Sequence, residues 1–149
     1  MLIGWREWLA LPALNVDRIK AKVDTGARTS ALHAEQVTYV RRRGQTIVQF
    51  VVSSGRDSTN PHAVVQAPLL DERRVRSSNG KEELRPVIET VVRLGTQEWS
   101  IEVTLTRRDQ MGFPMLLGRQ ALKGHAVVDP GRSFLNAKKI VKAIKPPEE

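Results

Sequence analysis

Trp99-Ser100-Ile101-Glu102-Val103-Thr104-Leu105-Thr106 alternates apolar and polar side chains, and that period of two constrains the fold more than any other feature of the chain. Successive side chains of a strand point to opposite faces, so Trp99, Ile101, Val103 and Leu105 are expected inward and their polar neighbours outward. Residues 86–94 precede this run across Gly95-Thr96-Gln97-Glu98 and predict a hairpin with it. Residues 37–42 and 46–53, crowded with β-branched side chains, flank Arg43-Gly44-Gln45 and predict a second hairpin. Residues 18–23 and 63–70 are further extended runs. Short apolar segments separated by Gly, Pro, Asn and Ser point to an all-β fold with helix in the minority.

Two places favour helix. Residues 118–123 predict a short one that Gly124 ends. Near the C-terminus, Ala137, Ile140, Val141 and Ile144 fall at helical spacing behind Asn136 as N-cap, with Pro146-Pro147 as the stop. A packed terminal helix and a frayed basic tail both fit that segment. Residues 54–61 and 71–85 read as loops or mobile hairpin tips. No repeat, low-complexity stretch or linker divides the chain, so one domain over residues 1–135 is expected, followed by a basic helix or tail over 136–149.

A chain of 149 residues buries about two thirds of its unfolded surface, enough for a core without disulfide or metal staples. With no cysteine, disulfide scaffolds, Cys-ligated zinc folds and thiol catalysis are excluded. The start lacks a basic segment leading into a sustained apolar one, and no window approaches 18 uncharged apolar residues. A soluble, cytoplasmic protein without a membrane partner is expected. Lys and Arg number 24 against 16 Asp and Glu, a formal charge of +8, which suits an anionic partner: nucleic acid, an anionic membrane surface or an acidic polypeptide. The excess is scattered over Arg41-Arg42-Arg43, Arg73-Arg74 with Arg76, Arg107-Arg108, and Lys138-Lys139 with Lys142 and Lys145. Each cluster alone reads as a solvated turn or face.

The chemically informative stretch is residues 19–34, where an extended run delivers Asp24-Thr25-Gly26 to a turn. A carboxylate at a strand end, then a hydroxyl, then a residue without a side chain is what an aspartic peptidase needs to set two carboxyl groups side by side. Gly26 lets backbone N–H come close to the carboxylate, and the Thr25 hydroxyl can tie its loop to a matching loop opposite. Asp-Thr-Gly is also an ordinary turn sequence. The second signal is Phe113-Pro114-Met115-Leu116-Leu117-Gly118-Arg119-Gln120-Ala121-Leu122, an apolar strand meeting a glycine and a short helix. Such an element braces the active-site loop of aspartic peptidases; alone it reads as a buried strand with a glycine stop.

Residues 20–34, with Arg76-Ser77-Ser78-Asn79-Gly80, Arg85-Pro86-Val87-Ile88 and residues 115–122, resemble the bacterial retropepsin-like family often labelled ATP-dependent zinc protease, which includes RimB. The similarity runs from about Ile3 to Leu135. It implies a closed, β-barrel-like protomer of the viral-protease type, a flap over the cleft, and Asp24 as the catalytic carboxylate with Thr25 and Gly26 beside it. Such chemistry takes two carboxylates, yet the chain holds a single Asp-Thr-Gly; Asp17, Asp57, Asp71, Asp109 and Asp129 lack that context. A twofold homodimer in which Asp24 faces its own image is therefore expected, inert as a monomer. Two carboxyl groups about 3 Å apart cannot both ionise easily, so one acts as base on a water while the other serves as acid, without cofactor or metal. The family label finds no local support: His33, His62 and His125 form no His-Glu-x-x-His, His33 with Glu35 is the nearest approach, and no phosphate-binding glycine loop is present.

Viral retropepsins commonly carry an acidic residue two positions after the glycine, paired with the Arg of the Gly-Arg element. Here that place is Arg28, so Arg119 needs another partner. If Ala27, Arg28, Arg73, Arg76, Lys81 and Arg85 line the groove, an acidic peptide gains charge-assisted hydrogen bonds there. The resemblance implies the same substrate class, because RimB-like proteins are linked to a ligase that adds glutamates to a small-subunit ribosomal protein, and trimming such tails is the implied role. The rival is a basic ribosome- or RNA-binding module without catalysis. It ranks lower because Tyr39, three Trp and three Phe are mostly placed like core residues rather than as a stacking set.

Overall fold

Extended chain dominates, as the period-two patterning requires. The computed structural model describes residues 1–55, 58–59, 61–76, 79–108 and 112–136. In chain order the strands are β1 (Leu2–Gly4), β2 (Arg6–Leu11), β3 (Val16–Asp24), β4 (Ser30–Arg42), β5 (Gln45–Ser53), β6 (His62–Pro68), β7 (Asp71–Arg76), β8 (Glu82–Leu94), β9 (Gln97–Thr106), β10 (Met115–Gly118) and β11 (Val127–Asp129). One 3-10 turn, Pro12–Leu14, joins β2 to β3, and one helix, α1 (Arg119–Leu122), follows β10.

The main sheet runs β10-β3-β2-β8-β9-β4-β5-β6, with β7 on β8, and β10 pairs with β4 as well as with β3. Pairing that starts at β10 therefore passes through β3, β2, β8, β9 and β4 and returns to β10. The β2–β8 join is its narrowest, resting on Ala10 against Arg93. Inside lie Leu9, Leu11, Ile19, Leu32, Phe50, Ile88, Leu94, Leu105, Met115 and Leu117, all fully buried. Each such side chain stabilises the fold by about 1.5–3 kcal/mol relative to exposure.

Both predicted hairpins form. Arg43 and Gly44 take φ of 52° and 76°, the two positive angles that let a two-residue turn follow strand twist. The β8–β9 turn is tighter than expected, since Gln97 and Glu98 already belong to β9. Three expectations need correction. Of the two readings for 71–85, the loop fails and a hairpin forms, with more paired strand than a tip: Asp71–Arg76 pairs antiparallel with residues 82–87. The alternation of β9 fails at its end, where Thr104 and Thr106 are buried with their apolar neighbours. Thr104 Oγ1 donates to the Ser30 carbonyl (3.2 Å) and Thr106 Oγ1 to Glu83 (3.0 Å), so both hydroxyls are satisfied where β4 and β8 close over this end. Finally, α1 covers only four residues of the 118–123 span, and Gly124 follows at φ 79°. The Trp99 indole donates to the Ala121 carbonyl (2.8 Å) and fixes α1 on β9.

The N-terminal residues meet residues 127–136. β1 pairs parallel with β11, and Gly4 lies so close to Arg132 that a Cβ would fall 2.3 Å from its carbonyl oxygen. Glu7, fully buried, accepts from the N–H groups of Gly4 (2.7 Å), Leu135 (3.0 Å) and Asn136 (3.1 Å). Three donors around one carboxylate supply what a buried charge requires. Asn136 is thus seated in the fold; the expected helix beyond it, on residues 137–149, lies outside the described residues. Among the described residues no helix is long and apolar enough to cross a membrane.

Candidate active site

β3 delivers Asp24 to its end, and β10 runs parallel beside it with Gly118 opposite Asp24. The loop between β3 and β4 then turns on the carboxylate itself. Asp24 Oδ1 accepts from the N–H of Gly26 (2.9 Å) and of Ala27 (3.2 Å), while Oδ2 has no partner among the described residues. A Cβ on residue 26 would sit 3.2 Å from Oδ1, so glycine leaves the carboxylate the room its hydrogen bonds need. Thr25 and Gly26 are exposed and Asp24 is half-buried, which places the carboxylate near the protein surface.

The element 115–122 braces this loop from below. Gly118 N donates to the buried Ser30 Oγ (3.0 Å), Arg119 N to the Ala27 carbonyl (2.8 Å) and Gln120 N to the Arg28 carbonyl (3.1 Å). A Cβ on Gly118 would meet the backbone of Thr29 and Ala27 at 2.8–2.9 Å. Only glycine permits that approach. Arg119 finds its partner within its own chain: Nη1 donates to the Gly26 carbonyl (3.0 Å), so the acidic residue absent at position 28 is replaced by a backbone acceptor.

Beside the loop lies a cavity of about 590 Å3, lined by Ala27, Arg28, Thr29, Thr104, and the guanidinium-bearing Arg73, Arg74, Arg76, Arg85 and Arg108, with no acidic residue among its described lining. Of the residues expected in the groove, Ala27, Arg28, Arg73, Arg76 and Arg85 are gathered here. Lys81 is exposed and lies outside this lining. The charges are not equivalent. Arg73 pairs with Glu102 (2.7 Å) and Asp71 (3.1 Å), and those hydrogen bonds, Glu102 first, hold its guanidinium above its ordinary pKa. Arg108 behaves oppositely: burial, and then the nearby charge of Arg85, push it down, with Asp24 acting in the other direction.

Arg74 and Arg108 were not anticipated as lining residues. Arg107-Arg108 was visible only as one scattered basic pair, and nothing local signals that the end of β9 brings residue 108 to the cavity. His33 is equally unexpected in its role. It is buried, its Nδ1 accepts from the Arg108 N–H (2.7 Å), and its Nε2 lies 3.5 Å from Glu35. Both ring nitrogens are engaged with protein, and no group of three or more His, Asp or Glu side chains suited to a metal ion occurs among the described residues.

The aromatic residues also depart from expectation. Phe50 alone is fully buried; Trp5, Trp8, Trp99, Phe113 and Phe134 are half-buried and Tyr39 is exposed. On the outer face of β2 and β3, Arg18 lies 4.2 Å over Trp8, Arg6 lies 4.6 Å over Trp5, and Lys20 lies 5.1 Å over Phe113. Trp8 also packs against the core, and each of these rings carries a cation of the chain over it.

The RimB-like family, described as retropepsin-like aspartic endopeptidase RimB, matches residues 2–139. Two proteins named "Probable alpha-L-glutamate ligase" are similar: one from Shewanella pealeana, 44% identical over 133 residues, and one from Desulfotalea psychrophila, 41% identical over 129. The matches cover 89% and 87% of this chain but only 29% and 28% of those relatives. Among solved structures, a Legionella pneumophila protein of unknown function, Lpg0085, superposes with a TM-score of 0.74 at 27% identity, over 91% of this chain and 97% of that one.

Proposed function

The chain belongs to the RimB-like family of retropepsin-like aspartic endopeptidases, and on that premise we propose that it is a homodimeric, cytoplasmic aspartic peptidase acting on glutamate-rich peptide tails such as those added to a ribosomal protein. The observation that carries this reading is the pairing of an Asp-Thr-Gly carboxylate held by two backbone N–H groups with an arginine-lined cavity beside it. We read the returning path of pairings through β10, β3, β2, β8, β9 and β4 as the closed barrel of a retropepsin protomer, and the β7–β8 hairpin, whose arms carry Arg73, Arg74, Arg76 and Arg85, as its flap.

In the dimer, the exposed Thr25–Gly26 corner of each protomer meets its symmetry mate, and the two Asp24 side chains share one proton. The charged member takes a proton from a water that attacks the peptide carbonyl. The neutral member donates to the oxygen on which charge develops, the proton taken from water passes to the departing amine nitrogen as the C–N bond breaks, and the gem-diol returns its other proton to the carboxyl pair, with no covalent intermediate. Arg28 and its neighbours bind substrate carboxylates and hold the chain extended against the flap by backbone pairing. That the similar domain occupies under a third of proteins named as glutamate ligases supports an acidic substrate, since the product of an enzyme that forms glutamyl bonds is the substrate of one that cleaves them.

A second reading, the RNA-binding module, draws support from the cationic and aromatic face of β2 and β3. The rings there are already covered by the chain's own Arg and Lys, so stacked bases would have to displace those contacts.

Oligoglutamate peptides incubated with the protein and read by mass spectrometry test the proposal. Asp24→Asn should abolish cleavage while sedimentation still finds the dimer. Cleavage that survives this change, or that a zinc chelator abolishes, overturns it.

A further inference from the structure

We infer that Arg108 and Arg85 together form the subsite that seats a substrate carboxylate, and that His33 is the residue that positions Arg108 for it. The inference rests on the peptidase reading for its substrate class, but its residues are set by the geometry of the cavity.

Among the described cavity arginines, Arg28, Arg74 and Arg76 are exposed and Arg73 is doubly paired, which leaves Arg85 and Arg108 as the more buried ones, with one long ion pair, Arg85 to Glu83, for the two. The Arg85 side chain is 15% exposed, its Nε has no hydrogen-bond partner, and its one acidic neighbour, Glu83, is half-exposed at 3.6 Å and already accepts from Thr106. Arg108 is half-buried, its Nε reaches the Phe113 carbonyl at 3.4 Å, and among the described residues no carboxylate lies in ion-pair distance of it. By contrast Arg73 is spoken for by Glu102 and Asp71, and Arg74 is well exposed. Two guanidinium groups facing one cavity with only Glu83, at 3.6 Å from Arg85, to offset them among the described residues are less favourable than the same pair with an anion seated between them. A carboxylate relieves both and accepts forked hydrogen bonds that lysine could not match. Thr29 and Ala27 share the lining, so a side chain seated here belongs to a residue close to the bond that Asp24 would cleave.

Arg108 lies two residues beyond β9, where no strand pairing holds it. His33 supplies the missing restraint. On β4 it stands opposite Thr106 in the parallel β4–β9 ladder, and its Nδ1 accepts the Arg108 backbone N–H. That bond fixes the tautomer, with the proton on Nε2 directed at Glu35. His33 thus acts on substrate only through the place it gives Arg108.

Binding and turnover are measured separately on the full chain. In an Asp24→Asn background, fluorescence anisotropy compares labelled oligoglutamate with labelled oligoglutamine of equal length. Arg108→Gln should reduce the glutamate-to-glutamine affinity ratio at least tenfold, and Arg108→Lys should fall between, because it keeps the charge and loses the fork. His33→Asn, whose side-chain oxygen can still accept the Arg108 N–H, should retain the ratio, whereas His33→Phe should lower it. In the unmodified background His33→Phe should raise KM for the glutamate peptide more than it lowers kcat. A ratio unchanged in both Arg108 variants, with far-ultraviolet circular dichroism showing them folded, overturns the subsite. Equal effects of His33→Asn and His33→Phe overturn the positioning role. Because binding is read without turnover, absence of cleavage in the unmodified chain would sink the peptidase reading while leaving this one to be decided by anisotropy.

Discussion

Replacing Gly118 with alanine should damage the protein far more than the loss of one hydrogen atom suggests. The added Cβ would stand 2.8 Å from the Thr29 carbonyl carbon and 2.9 Å from the carbonyl oxygens of Ala27 and Thr29. These are backbone atoms, so no flexible side chain can swing aside. Forced overpacking of this kind costs about 1–3 kcal/mol. The loop can retreat only by stretching the hydrogen bonds that Gly118, Arg119 and Gln120 make to it, each worth about 1 kcal/mol net. A loss of about 3–5 kcal/mol follows, or a melting temperature lower by roughly 10–15 °C for a domain of this size. Gly124→Ala is the control: its φ of 79° strains alanine by about 1–2 kcal/mol, but nothing stands within 4 Å of the new methyl. Urea unfolding of both variants gives the comparison. Because Ala27 N holds Asp24, any peptidase activity should fall with Gly118→Ala and persist with Gly124→Ala. Equal destabilisation of the two would refute the close-approach argument.

Glu7→Gln should cost about 2–4 kcal/mol, since an amide offers one acceptor oxygen to three backbone donors and turns its own N–H toward the rest; amide exchange at Leu135 and Asn136 should accelerate, and unchanged protection there would argue against the staple. Asp17 offers a pH test. Burial opposes its charge, but hydrogen bonds from Ser58 and Thr59 outweigh that and hold its carboxyl below the usual 3.8. A depressed folded value means the stabilisation is present above the unfolded value and lost as pH falls through the folded one. The advantage of the unmodified chain over Asp17→Asn, about 0.5–1 kcal/mol for this partly exposed group, should therefore be constant near neutrality and shrink below pH 3.8, and an advantage that grows on acidification would contradict it.

What the residues determined alone was local. Alternation in 99–106, the Arg43-Gly44 corner and the apolar stop at Gly118 each follow from side-chain period and backbone steric limits, which act over a few positions, and so β3, β5, β6, β8, β9 and β10, the first hairpin turn and the Asp-Thr-Gly loop were legible without coordinates, whereas β1, β2, β7 and β11 were not. The arginines at 28, 73, 76 and 85 were readable as a group through the family resemblance, with Lys81 wrongly among them and Arg74 and Arg108 absent, and their inequality was invisible. Only tertiary structure decided that Arg73 is matched by Glu102 from another strand while Arg108 lines the cavity with no carboxylate among the described residues in ion-pair distance. The burial of Thr104 and Thr106, the placing of residue 108 by a histidine 75 positions away, and the carboxylate of Glu7 joining Gly4 to Leu135 and Asn136 have the same origin. Hydrogen bonds and charges act over a few ångströms of space, and which residues share that space is fixed by how distant strands pair.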